Sequence, residues 1–132
     1  MKQVSPEHSI LLIDDDEDDA VLFGFAIEKV EKNIRFIHYP DSIKALKDLN
    51  SFTLNPDYIF LDLNMPKLSG IEVLKELKRV RRLWHIPVII YSTTTNADHI
   101  NQVKTLGATD FISKPNSLTD IIKAIDKVLS SL

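Results

Sequence analysis

Five times along this chain a short apolar run is followed by a stretch with helical spacing. The runs are Ser9–Ile13, Ile34–Tyr39, Tyr58–Leu61, Pro87–Ser92 and Asp110–Ser113. Each is rich in β-branched or aromatic residues and short enough for a strand covered on both faces. Strand–helix alternation argues for an α/β fold, because parallel neighbours need a crossover and that crossover is usually a helix. Right-handed crossovers put helices on both sides of the sheet. The expected architecture is a doubly wound (βα)5 three-layer sandwich. The units share a layout but no repeated sequence, which argues against a solenoid.

The intervening stretches carry recognisable boundaries. After the first strand come six consecutive acids, Asp14 to Asp19, where negative charge complements a helix dipole. Leu22, Ala26 and Val30 form one stripe of that helix, with Phe23 and Ile27 beside it. Asp41 is the expected cap of a short second helix bearing Ile43, Leu46 and Leu49. Ser69 and Glu72 have capping-box spacing, ahead of a face of Val73, Leu77 and Val80. Thr95 is the expected cap of the fourth helix, with Ile100, Val103 and Leu106 facing inward and Gly107 at its left-handed end. Ser117 caps a fifth helix carrying Ile121, Ile122, Ile125, Val128 and Leu129, with Asp120 at the capping-box position.

Several function classes drop out on composition. The chain has 132 residues, enough for one core, and no cysteine, so disulfides, thiolate metal sites and cysteine nucleophiles are excluded. A net charge of -3 gives no electrostatic reason to expect DNA or RNA binding. No run is apolar for long enough to span a membrane. Met1–Pro6 lacks the apolar centre of a signal peptide, so the cytoplasm is the default location. The domain expected is single, covering 1–132 with a core at about 9–129.

The chemistry lies at the strand ends. In a doubly wound sheet the carboxyl ends of the strands share one edge, and ligands bind there. The first strand ends at Asp14 and Asp15, the third at Asp62, the fourth at Ser92 and the fifth at Lys114. The second offers only Tyr39-Pro40, which suits an edge strand away from the crevice. Pro66 stops the third strand from continuing as a central one. A charge directly after a buried strand costs several kcal/mol unless something pairs with it. Two carboxylates about 4 Å apart repel by roughly 4 kcal/mol at an effective dielectric near 20. Three therefore call for cations. Lys114 is one, and a hard divalent ion such as Mg2+ suits the oxygen donors. A carboxylate held there is a possible nucleophile toward phosphorus.

These residues resemble the receiver domains of bacterial two-component response regulators (CheY-like, stand-alone type). The matching pieces are Ile10–Asp15, Leu61–Pro66, the Ser69-Gly70 turn, Pro87–Ser92, Gly107-Ala108 and Lys114-Pro115. The resemblance implies a flavodoxin-like sheet in the order 2-1-3-4-5. It implies that Asp62 is the phospho-acceptor, served by a sensor histidine kinase or phosphotransfer protein. It assigns Mg2+ to Asp14, Asp15, Asp62 and the Asn64 main-chain carbonyl. Ser92, Lys114 and Phe111 match the phosphoryl-binding and switch positions, and Asn64 and Thr94 those that tune phosphoryl lifetime. It also implies a cis peptide bond before Pro115. Serine stands at Ser92 where threonine is commoner, so the hydroxyl is less restrained. Phenylalanine at Phe111 lacks the hydroxyl of the frequent tyrosine.

The function implied is a phosphorylation-controlled signalling module rather than an enzyme. The chain ends with the fifth helix, so a separate output or relay protein is the expected partner, with neither DNA nor membrane contacted directly. The competing class is a haloacid-dehalogenase-like phosphohydrolase using Asp62 as nucleophile. Such enzymes usually place a second Asp two residues on as general acid, and here that residue is Asn64. A flavodoxin fails for want of a phosphate loop after the first strand. Asp16, Glu17, Asp18 and Asp19 read as capping and solvated charge. Trp84 and the four histidines read as surface or packing residues, and the basic end of the third helix, Arg79 to Arg82, as a solvated face.

Overall fold

The computed structural model describes residues 8–30 and 33–131; the reading of Met1–Pro6 lies outside them. Among the described residues ten elements alternate: β1 (His8–Ile13), α1 (Glu17–Val30), β2 (Ile34–Tyr39), α2 (Ser42–Asn50), β3 (Tyr58–Leu61), α3 (Gly70–Arg79), β4 (Val88–Ser92), α4 (Ala97–Thr105), β5 (Asp110–Ser113) and α5 (Leu118–Ser130). All strand pairs are parallel, in the order β2-β1-β3-β4-β5. Ile13 pairs with both Tyr39 and Leu61, so the ends of β1, β2 and β3 lie level. Ser92 pairs with Ser113 one strand further over.

Strand side chains alternate between the faces, and two cores result. Leu11, Ile13, Ile59, Leu61, Val88 and Ile90 pack with Ala45, Leu49, Val73, Leu77 and Val103 of α2, α3 and α4. Ile10, Leu12, Phe60, Ile89 and Tyr91 pack with Phe23, Ala26 and Ile27 of α1 and Ile121 and Ile125 of α5. Phe23 is the keystone of the second core. Its ring centroid lies 5.0 Å from Phe60, 5.1 Å from Tyr91 and 5.5 Å from Phe36.

Local chemistry sets the helix ends largely as expected. The Asp41 side chain accepts from Ile43 and Lys44 N–H, and Ser69 and Glu72 form the full capping box. Ser117 accepts from Asp120 N–H, and Gly107 has φ +104. Three details differ. The cap of α4 is Asn96 and not Thr95, because Asn96 reaches both Asp98 and His99 N–H. Leu22 and Ile43 are exposed. The buried arc of each helix is set by where it sits on the sheet, and it falls on Phe23 and Ala45 instead. Pro87 stays outside β4, though its carbonyl accepts from Ile59 N–H.

Candidate functional site

Main-chain bonds between neighbouring strand ends build the site. Asp14 N–H donates to Tyr39 O, Asp62 N–H to Ile13 O, and Lys114 N–H to Ser92 O. Each acid, alcohol or amine is thus the residue at which a parallel ladder runs out. Gly70 is required beside them. A Cβ there would sit 2.6 Å from Leu63 Cα and strike the Asp62 carbonyl. Gly70 N–H donates to Leu63 O, so the start of α3 lies directly on the chain leaving β3.

Asp14, Asp62 and Ser92 are buried, whereas Asp15 is exposed. Carboxylate oxygens of Asp14, Asp15 and Asp62 all lie within 4.8 Å of one another. The Lys114 ammonium, 8% exposed, sits 2.8 Å from Asp14 Oδ2, 2.8 Å from Asp19 Oδ2 and 3.7 Å from Asp62 Oδ2. It also lies 5.6 Å from the centre of the Tyr91 ring. Asp62 Oδ1 accepts weakly from Asn64 N–H at 3.4 Å. Ser92 Oγ accepts from Thr94 N–H, also at 3.4 Å.

The electrostatics follow from burial. Burial pushes the Asp14 carboxyl up to about 6 against the pull of Lys114, and it raises Asp62 as well. Burial would lower the Lys114 ammonium, but Asp14 and Asp19 outweigh it and hold the group above its ordinary value. Burial also takes the Tyr91 hydroxyl to about 12. Asp14 Oδ1 accepts from Asp16 N–H. Asp14 Oδ2 is buried and faces the Lys114 ammonium at 2.8 Å. Three clustered carboxylates with a single ammonium among them are a donor set short of positive charge. Those oxygens fit a hard divalent cation such as magnesium.

Of the residues singled out in the sequence, Asp14, Asp15, Asp62, Ser92 and Lys114 converge. Asn64 is exposed beside them and Thr94 is half-buried. Phe111 is half-buried against the α2–α3–α4 core. The Lys114–Pro115 bond is trans, not cis; trans is the ground state of an X–Pro bond by about 0.5–1 kcal/mol, and here the turn into α5 is made without the cis form.

Three side chains were missed. Asp19, expected to be solvated, binds Lys114 from the first turn of α1. His38 Nε2 lies 2.7 Å from Asp14 O, so that nitrogen donates. Lys78, one of the basic residues near the end of the third helix, donates to Trp84 O and Ile86 O. Nothing in the local pattern marks them: partners 95, 24 and six to eight residues away in sequence are invisible to helical periodicity.

A parallel five-stranded sheet in this order with polar groups gathered at its carboxyl edge defines a doubly wound, flavodoxin-like α/β module with its ligand site at that edge. The family model for the response regulator receiver domain matches residues 10–126. Response regulator Rcp1 from Synechocystis is 29% identical over 131 residues, covering 96% of this chain and 89% of that protein. The phosphorylated cyanobacterial phytochrome response regulator RcpA superposes with a TM-score of 0.87 at 29% identity, covering 96% of each chain. The Mn(2+)-bound form of Rcp1 gives a TM-score of 0.82 at 28% identity, covering 93% of this chain and 92% of that one. The chain belongs to the response regulator receiver domain family, a signalling module of two-component systems and not an enzyme. The phosphohydrolase alternative finds no support in these relatives.

Proposed function

We propose that this receiver accepts a phosphoryl group on Asp62 from the phosphohistidine of a sensor histidine kinase or phosphotransfer protein. The observation that carries the reading is that buried Asp62, Asp14 and Ser92 converge with the Lys114 ammonium, which lies 2.8 Å from Asp14 and 3.7 Å from Asp62.

Each side chain has a task in that reaction. An Asp62 carboxylate oxygen attacks phosphorus. The new O–P bond forms as the donor P–N bond breaks, and the imidazole leaves with the electron pair. The Lys114 ammonium pairs with a phosphoryl oxygen, and the Ser92 hydroxyl donates to another. Asp14, Asp15, Asp62 and the Asn64 main-chain carbonyl would hold magnesium, which when bound supplies positive charge to the phosphoryl oxygens. Asn64 and Thr94 stand at the mouth of the site, where they control the approach of water and so the lifetime of the acyl phosphate.

Phosphorylation adds roughly -1.5 to -2 charge, by analogy with other phosphorylated side chains. Drawing Ser92 and Lys114 toward that charge shifts the loops after β4 and β5, and Phe111 turns inward. The face of α4, β5 and α5 is then the surface an output or relay protein reads.

The test is labelling with a small phosphoryl donor such as acetyl phosphate plus magnesium, followed by peptide mapping. One label on Asp62 is expected, with none on Asp62→Asn and an unchanged circular dichroism spectrum. Label on a histidine or serine, or labelling that survives Asp62→Asn, counts against the assignment. Sustained turnover of the donor at high rate would revive the phosphohydrolase.

A further inference from the structure

Lys114 is held by a residue that the phosphoryl chemistry does not require. Its ammonium has three N–H donors. It lies 2.8 Å from Asp14 and 2.8 Å from Asp19, and the contact with Asp19 is a hydrogen bond. Asp62 is at 3.7 Å, beyond hydrogen-bond length. Asp19 comes from α1, whereas Asp14 and Asp62 sit on the strand ends. The other acids of the run behave differently. Asp16 caps the helix by accepting from Asp19 N–H, and Asp18 is exposed. Asp19 alone of Asp16, Glu17, Asp18 and Asp19 has its carboxylate on the buried lysine.

We infer that Asp19 is a positioning residue that parks Lys114 away from Asp62 in the unphosphorylated protein. Contact with a phosphoryl group on Asp62 draws the ammonium toward Asp62 and away from Asp19. The Asp19 pair then exists in only one of the two states. An interaction present only before phosphorylation favours the unphosphorylated state by its own strength. Asp19 is therefore a brake on phosphoryl acceptance, and its release on phosphorylation carries the event from the β5 end to the start of α1.

The inference rests on Asp62 as acceptor, and its test separates the two. Magnesium-dependent labelling rates with acetyl phosphate are compared for the wild type, Asp19→Asn, Asp19→Glu and Asp18→Asn. Asp18→Asn removes the same unit of charge one residue away without touching Lys114. Asp19→Glu keeps a carboxylate able to reach the ammonium. Asp19→Asn should label about twofold faster or more, the low end of coupling between residues in contact. Asp18→Asn and Asp19→Glu should label at rates near the wild type. Equal acceleration by Asp18→Asn would reduce the effect to net charge and overturn the brake. An unchanged or slower rate for Asp19→Asn would overturn it too. A wild type that takes no label on Asp62 would instead refute the acceptor assignment.

Discussion

The two ends of the sheet solve the same problem in opposite ways. At the amino edge, β1 and the turn before β3 satisfy one another. Ser9 N–H and hydroxyl both reach Asp57 Oδ2, the hydroxyl also reaches Asn55 O, and Asp57 N–H returns to Ser9 O. Lys78 closes the carbonyls of Trp84 and Ile86 nearby. At the carboxyl edge Asp14, Asp19 and Asp62 crowd one ammonium, and burial raises the pKa of Asp14 and Asp62. The same strands run between the two. The amino edge is arranged for stability. The carboxyl edge gives stability up, and the carboxylate charge left unneutralised there fits a divalent cation.

That contrast can be broken deliberately. Gly70→Ala should have the largest effect, since its Cβ meets main chain and not a flexible side chain. A loss of about 3 kcal/mol or more is expected, together with slower labelling because the Asp62 carbonyl must move. Denaturant midpoints and labelling rates check both; a variant as stable as wild type would show that the approach of α3 to β3 is looser than it looks.

Magnesium should come next. At a hundredfold excess over its dissociation constant it should stabilise the protein by about 2.7 kcal/mol. The effect should be weaker at pH 5 than at pH 7.5. Burial raises Asp14 from 3.8 to about 6, so between these values the folded state holds a proton that the unfolded chain has lost. The contribution of Asp14 to metal-free stability therefore falls as pH rises from about 4 to 6, and the cost stays in full above that window. Protons and the cation compete for the same oxygens. Thermal melts at the two pH values read the difference, and an equal rise at both would place the metal elsewhere.

The smallest effect should come from the amino edge. Asp57→Ala should cost about 1 kcal/mol, as expected for an exposed set of hydrogen bonds to a carboxylate, and leave labelling of Asp62 unchanged. A change in labelling would mean that the two edges are coupled through β1 and β3.

Much of this was legible in the residues. Alternating apolar runs specify parallel strands, and caps such as Asp41, Ser69 and Ser117 depend on neighbours two or three residues away, so they can be read locally. The acids, alcohol and amine at the strand ends were legible once the sheet was assumed, because parallel strands bring their carboxyl ends to one edge. The exact buried arc of a helix was not. Leu22 and Ile43 are as apolar as their buried neighbours, and only the tilt of α1 and α2 on the sheet turns them outward.

The sequence by itself determined the order of elements, the caps of α2, α3 and α5, and the meeting of Asp14, Asp15, Asp62 and Lys114, since each follows from period and strand direction. Only the tertiary structure decided how the charge at that meeting point is shared. Whether Lys114 leans toward Asp62 or toward Asp19 depends on distances of an ångström between segments 95 residues apart in sequence. Ion pairs of that kind are set by burial and by the packing of α1, neither of which any local pattern encodes.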